Sequence, residues 1–153
     1  MSRLAGIVAL AATLGFAIAD GPALAGGDTM MMKKAHGGTV AAPSGPVHVD
    51  KATGADAHTV AELHAKGAAL AGKKIAVRGK VVKVSRSIMN RNWVHLQDGS
   101  GDAAKGTHDV VVTTQDSPEV GDVVTARGVL AKDKDFGAGY VYAVIVEEAT
   151  VKK

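Results

Sequence analysis

Apolar and polar residues alternate in five segments after residue 74, and this pattern predicts a protein built mainly of β-strands. The segments are Ile75–Ser85, Asn92–Gln97, Asp109–Thr114, Val123–Leu130 and Tyr140–Glu147. In the first segment the apolar residues fall at odd positions, Ile75 and Val77, and then at even positions, Val82 and Val84. Successive side chains of a strand point to opposite faces, so this change of phase predicts a bulge or bend near residues 79–82.

A single helix is predicted upstream of the strands, between Val60 and Leu70. Thr59 and Glu62 have the spacing of a capping box, and Gly72 provides a helix end. Apolar side chains at Val60 and Leu70 fall on one helical face.

One short helix followed by five short strands, the first of them bent, favours an all-β fold in which the strands form a small closed or nearly closed barrel. We expect this domain to span residues 57–153. The core is then made mostly of aliphatic side chains, because the sequence contains one tryptophan, two tyrosines and two phenylalanines.

The N-terminal residues 1–25 have the pattern of a cleavable export signal. Arg3 is followed by a mostly apolar run over residues 4–19 and by the small-residue motif Ala23-Leu24-Ala25. The apolar run is shorter than the ~20 residues of a spanning helix, which predicts cleavage and no stable membrane insertion afterwards. The chain has no cysteine, and we expect a periplasmic location. Residues 26–56 lack apolar periodicity and are predicted to be a flexible tether.

The charge is distributed unevenly along the chain, whose formal net charge is +3. The segment from residue 73 to residue 91 contains basic residues and no acidic residue. A basic strand can bind phosphates or another anionic surface, or it can make an exposed sheet edge soluble. Both interpretations stay open for Arg78, Lys80, Lys83, Arg86 and Arg91.

Three segments together resemble the OB-fold of the anticodon-binding and single-strand-binding type. They are Gly79-Lys80-Val81-Val82, Leu96-Gln97-Asp98-Gly99-Ser100-Gly101 and Val120 to Gly128. More narrowly, Ser87 to Gly99 together with Asp133 to Tyr140 is similar to a group of exported bacterial OB-fold proteins labelled as nucleotide-binding or DNA-binding. The resemblance implies a five-stranded OB-fold barrel with a ligand site on its second and third strands, flanked by two loops.

Trp93 is the central residue of the predicted site. Val94 and Leu96 set the inward phase of the second predicted strand, so Trp93 and His95 are expected on the outer face. Trp93 there either stacks on a ligand or is covered by a loop as part of the structure. The predicted ligand-binding residues are Trp93, His95, Arg91, Tyr140, Phe136, Arg78, Lys80, Lys83 and Arg86. The expected ligand is anionic or aromatic, such as a nucleotide or single-stranded nucleic acid.

Two alternative functions stay open at this point. Met30, Met31, Met32 and His36 carry thioether and imidazole groups that suit copper, although the same segment also fits a plain linker. With His95 as a haem-contacting group, the protein would be a metal- or haem-handling accessory of periplasmic respiratory proteins. The other alternative is an interaction module whose exposed sheet edge binds a periplasmic protein.

Catalysis is not expected from this sequence. It lacks a cysteine nucleophile, a Gly-x-Ser-x-Gly elbow and a phosphate-binding loop motif. We therefore predict a binding protein without a resident cofactor.

Overall fold

The computed structural model describes residues 45–153, which form mostly β-sheet. Its elements are β1 (Ala57–His58), α1 (Val60–Ala65), α2 (Gly67–Leu70), β2 (Lys74–Ile88), β3 (Arg91–Gln97), a 3-10 turn (Ala103–Lys105), β4 (Val110–Thr114), β5 (Val123–Asp135) and β6 (Val141–Lys152). The predicted signal at 1–25 and residues 26–44 of the predicted tether lie outside the described residues. Within residues 45–153, none of the helices has the length and apolar character needed to cross a membrane.

All six strands belong to one sheet with the order β1-β2-β3-β4-β6-β5, and β2 also pairs with β5. The pairings among the five long strands therefore return to their starting strand. Neighbouring long strands run antiparallel except β4 and β6, which are parallel. The predicted all-β class is confirmed.

The change of phase in β2 is a bulge, as the sequence predicts. In the pairing with β3, the register shifts between Val81 and Lys83. Ile75 and Val77 before the shift, and Val84 after it, all belong to the same buried core. Val82, which the sequence pattern places inward, is only half-buried and lies outside this core, and Val81 takes the inward position instead. The bulge thus keeps the apolar side chains of a 15-residue strand facing inward while the strand changes direction.

The main core is aliphatic and lies inside the ring of paired strands. Every long strand and α1 contribute to it, and its fully buried larger side chains include Leu63, Ile75, Leu96 and Leu130. Val94 and Leu96 of β3 both point into this core. The predicted inward phase of this strand is therefore confirmed, and Trp93 and His95 lie on the opposite face.

The helical segment differs from the single helix predicted. The capping box is present, since Glu62 N donates to Thr59 Oγ1 at 3.1 Å and Thr59 N donates to Glu62 Oε2 at 2.8 Å. The helix is interrupted at Lys66, where φ is −106°, and α2 follows as a separate turn. The buried Gly67 begins α2, and a Cβ at this position would approach Val144 Cγ2 to 3.3 Å. The absence of a side chain at Gly67 therefore allows α2 to pack closely against β6.

Part of the predicted tether contacts the sheet. Val49 N donates to Asp98 O at 3.0 Å. Gly99 has a φ of +89°, and a Cβ there would lie 2.1 Å from Val47 O. The contacts of the domain therefore begin upstream of the boundary predicted at residue 57. The short strand β1, which the alternation did not predict, pairs in parallel with β2.

Candidate ligand-binding surfaces

Trp93 lies on the outer face of β3 but is buried, with 4% of its surface exposed. It packs with Val111 of β4 and Ile145 of β6 in a second apolar cluster. Its indole Nε1 donates to the carbonyl oxygen of Ile88 at 2.9 Å. The ring is therefore covered by other side chains, and its N–H is hydrogen-bonded within the protein. In this conformation the indole has no free face on which a base could stack.

The cover over Trp93 comes from the hairpin that joins β5 and β6, residues 134–142, which we call the aromatic hairpin. The centroid of the Trp93 ring lies 5.0 Å from that of Phe136, 6.4 Å from that of Tyr140 and 5.5 Å from that of Tyr142. Burial raises the pKa of the Tyr142 hydroxyl. The structure therefore brings the predicted site residues Trp93, Phe136 and Tyr140 together with Tyr142, and the four rings pack against one another.

The tip of the aromatic hairpin is a tight turn. Gly137, Ala138 and Gly139 all have positive φ, a conformation that glycine adopts at little cost. Phe136 N donates to Tyr140 O at 2.9 Å, and Gly137 N donates to Asp135 Oδ1 at 2.7 Å. This turn directs Phe136 and Tyr140 toward Trp93.

His95 is held by the carboxylate of Asp109, the residue immediately before β4. Its Nδ1 lies 2.9 Å from Asp109 Oδ1, and both side chains are partly exposed. Lys83 of β2 is the register partner of His95, so the imidazole lies between a basic strand and an acidic loop end. His64 Nε2 in addition lies 2.8 Å from the backbone oxygen of Asp109.

Asp98, which belongs to one of the segments that resemble the OB-fold, connects the turn after β3 to α1. It is buried, its Oδ2 accepts from Val60 N at 2.9 Å, and its Oδ1 accepts from Ser100 N at 2.9 Å. Ser100 Oγ accepts from Ala61 N at 2.9 Å. The turn after β3 therefore satisfies two of the backbone N–H groups at the start of α1.

The five predicted cations divide into two groups. Arg78, Lys80 and Lys83 lie on the outer face of β2, because the bulge shifts the outward positions from even to odd numbers. Lys80 and Lys83 have no ion-pair partner within 4.0 Å among residues 45–153. We call Arg78, Lys80 and Lys83 the β2 cation row.

Arg86 and Arg91 lie apart from the β2 cation row. Arg86 Nη2 donates to Pro118 O at 3.4 Å. Arg91 lines a polar cleft of about 390 Å³ with Thr113, Asp116 and Glu148. These two arginines therefore do not extend the surface formed by the row on β2.

A second basic surface, which the sequence analysis did not single out, lies on β5 and β6. A groove of about 480 Å³ is lined by Thr125, Arg127, Thr150, Lys152 and Lys153. These residues come from two segments more than twenty positions apart, so they meet only through the pairing of Thr125 with Lys152 and of Arg127 with Thr150. The available signal was the alternation of threonine and basic residues at 125/127 and 150/152.

The predicted metal ligands Met30, Met31, Met32 and His36 lie outside the described residues. Within the part of the chain that the structure describes, no group of three or more histidine or acidic side chains could hold a metal ion. Comparison of the chain with protein-family models, with curated proteins and with solved structures found no match.

Proposed function

We propose that this protein is an exported, non-enzymatic binding module of the OB-fold barrel type for an anionic ligand, with single-stranded nucleic acid as the ligand class. The cycle of pairings β2-β3-β4-β6-β5, with β4 and β6 parallel, supports the barrel. This cycle contains five strands, the number found in the OB-fold. The proposed function rests on one observation, the outward-facing side chains of the β2 cation row.

The β2 cation row suits a chain of negative charges. Its three side chains project from one strand, and the only hydrogen bond of the Arg78 guanidinium among residues 45–153 goes to the backbone oxygen of Asp50, at 3.4 Å. Phosphates bound to lysine and arginine release condensed counterions, which supplies most of the affinity for nucleic acid without sequence preference. The row therefore favours binding through the backbone of the ligand.

Stacking contributes little in this arrangement. Single-strand binding proteins usually add about 1–3 kcal/mol per base through exposed aromatic side chains. Here Trp93, Phe136 and Tyr142 pack against one another. We therefore propose weak binding that depends strongly on salt and little on base identity.

Binding of a fluorescently labelled dT12 oligonucleotide at 50 mM salt tests this proposal. The triple variant Arg78→Gln, Lys80→Gln, Lys83→Gln should lose most of the binding, and the logarithmic salt slope should become shallower by about 2, at about 0.7 for each phosphate contact. The control Lys105→Gln changes an exposed lysine beside the 3-10 turn and should bind as the wild type does. Undiminished binding by the triple variant, or binding of heparin but not of dT12, would contradict the proposal.

A haem-handling role is the second candidate, and the contact between His95 and Asp109 favours it. Histidines that bind metals usually donate the other ring N–H to a carboxylate. With Nδ1 held by Asp109 at 2.9 Å, Nε2 of His95 is the ring nitrogen left for iron. Titration with haem should then give a Soret shift that His95→Ala abolishes and His48→Ala preserves. An identical shift in both variants would exclude His95 as the ligand.

A further inference from the structure

The β2 cation row continues across the sheet onto β5 and β6. Arg78 is the register partner of Thr125, and Thr125 is the partner of Lys152. Paired residues of antiparallel strands point to the same face, so these three side chains form a line across three strands on the outside of the sheet. Arg127 and Thr150 form the next line.

The groove on β5 and β6 offers both charge and hydroxyl groups. Arg127 is paired with Asp56 at 2.6 Å, and Lys153 is paired with Asp122 at 3.0 Å. Lys152 has no ion-pair partner among the described residues. Lys152 is therefore the cation of this groove that is available to a ligand without breaking an existing pair.

On the ligand-binding face that the OB-fold resemblance implies, the apolar side chains are covered by the protein itself. The aromatic hairpin covers Trp93, and Val111 beneath it is buried. On the other side of β2, the β2 cation row meets Thr125 of β5 and Lys152 of β6, and Lys152 continues the basic path there.

We infer that the ligand is a linear phosphodiester chain that passes from Lys83 along β2 to Arg78 and then across β5 to Lys152, an inference that rests on the proposed function. Lys83 and Arg78 are five residues apart on β2, which corresponds to about 16 Å at ~3.3 Å per residue. Two strand spacings of ~4.8 Å add about 10 Å. A path of about 25 Å requires an oligomer, because a single nucleotide cannot reach both ends.

The test compares two oligonucleotide lengths on the full chain. The variant Lys152→Gln removes the cation at the far end of the path, and Lys105→Gln is the matched control. Loss of one phosphate contact should weaken dT12 binding ~8-fold at 50 mM salt and make the salt slope shallower by about 0.7. Binding of dT3, which is too short to reach from Lys83 to Lys152, should not change.

The outcomes separate this inference from the proposed function. If the triple variant of the β2 cation row loses dT12 binding while Lys152→Gln binds both lengths as the wild type does, the path across β5 is wrong and the proposed function stands. An equal loss for dT3 and dT12 in Lys152→Gln would also overturn the path. If the wild-type protein does not bind dT12 at low salt, both proposals fail.

Discussion

Trp93 links three strands and the aromatic hairpin through a single side chain. Its ring contacts Phe136 and Tyr142, and its Nε1 reaches Ile88 O at 2.9 Å. An aromatic residue in such a position combines a large buried area with a satisfied polar atom. We therefore assign Trp93 to the stability of the outer cluster.

Replacement of Trp93 by alanine should lower the free energy of unfolding by about 3–5 kcal/mol, as for other buried aromatic residues. Urea denaturation measures this change. Met89→Ala is the matched control from the adjoining loop, because Met89 is 50% exposed and surface substitutions usually change stability by less than about 0.5 kcal/mol. A loss below about 1 kcal/mol for Trp93→Ala would show that the indole is not structural cover.

The Glu62 carboxylate is expected to stabilise the protein by an amount that decreases in acid. Hydrogen bonds from Lys51 and from the Thr59 backbone N–H lower the pKa of Glu62 from 4.5 to about 2. The folded pKa lies below the unfolded one, so this contribution is complete above pH 4.5 and is lost as the pH falls toward 2. The melting temperature of Glu62→Gln should therefore fall less than that of the wild type between pH 5 and pH 2. Parallel melting curves in this range would contradict the assignment.

At the scale of elements, the turn after β3 and the start of α1 depend on each other. Asp98 is buried and accepts from Val60 N at 2.9 Å and from Ser100 Oγ at 2.6 Å. The same turn accepts Val49 N through the backbone oxygen of Asp98. Asp98 therefore joins three segments that are far apart in the sequence.

Asp98→Ala should destabilise the protein by at least about 1.5 kcal/mol, the lower end for a hydrogen bond to a charged group. Denaturant unfolding measures the loss, and hydrogen exchange should show faster exchange at Val60 N. Asp102→Ala is the control, since Asp102 is exposed and, in the described structure, its side chain contacts only Ala104 N and the exposed Lys105 Nζ. Equal losses in the two variants would refute a special role for Asp98.

Local patterns predicted the elements whose causes are local. The bulge follows from apolar positions in one strand, and the capping box follows from Thr59 and Glu62. The break at Lys66 depends on the packing of Gly67 against Val144, a contact with β6 that helical periodicity does not contain. The short β1 likewise forms only because β2 offers an edge to it.

The candidate site could likewise be predicted only where its causes lie in the local sequence. The outward position of Arg78, Lys80 and Lys83 follows from the phase of β2 alone. The cover over Trp93 and the position of Lys152 depend on the order of the strands. Neither can be obtained from the residues next to them in the sequence.

At the scale of the whole molecule, the ring of strand pairings separates an apolar aromatic surface from a charged surface. The aromatic hairpin closes over β3, β4 and β6, while the β2 cation row and Lys152 face outward on β2 and β6. Folding therefore separates the basic residues of segment 73–91 into two groups. It places one of them, the β2 cation row, next to a second basic segment that contains Lys152.

A titration followed by two signals at once tests whether the ligand binds away from the aromatic cluster. Labelled dT12 is added at 50 mM salt while its anisotropy and the emission of Trp93, the only tryptophan in the chain, are recorded together. We expect the anisotropy to rise to saturation while the Trp93 emission keeps its intensity and wavelength, because the ligand binds the basic face and the aromatic cluster stays closed. Quenching of Trp93 in step with the anisotropy would contradict this separation of the two surfaces, because it would place a base against the indole.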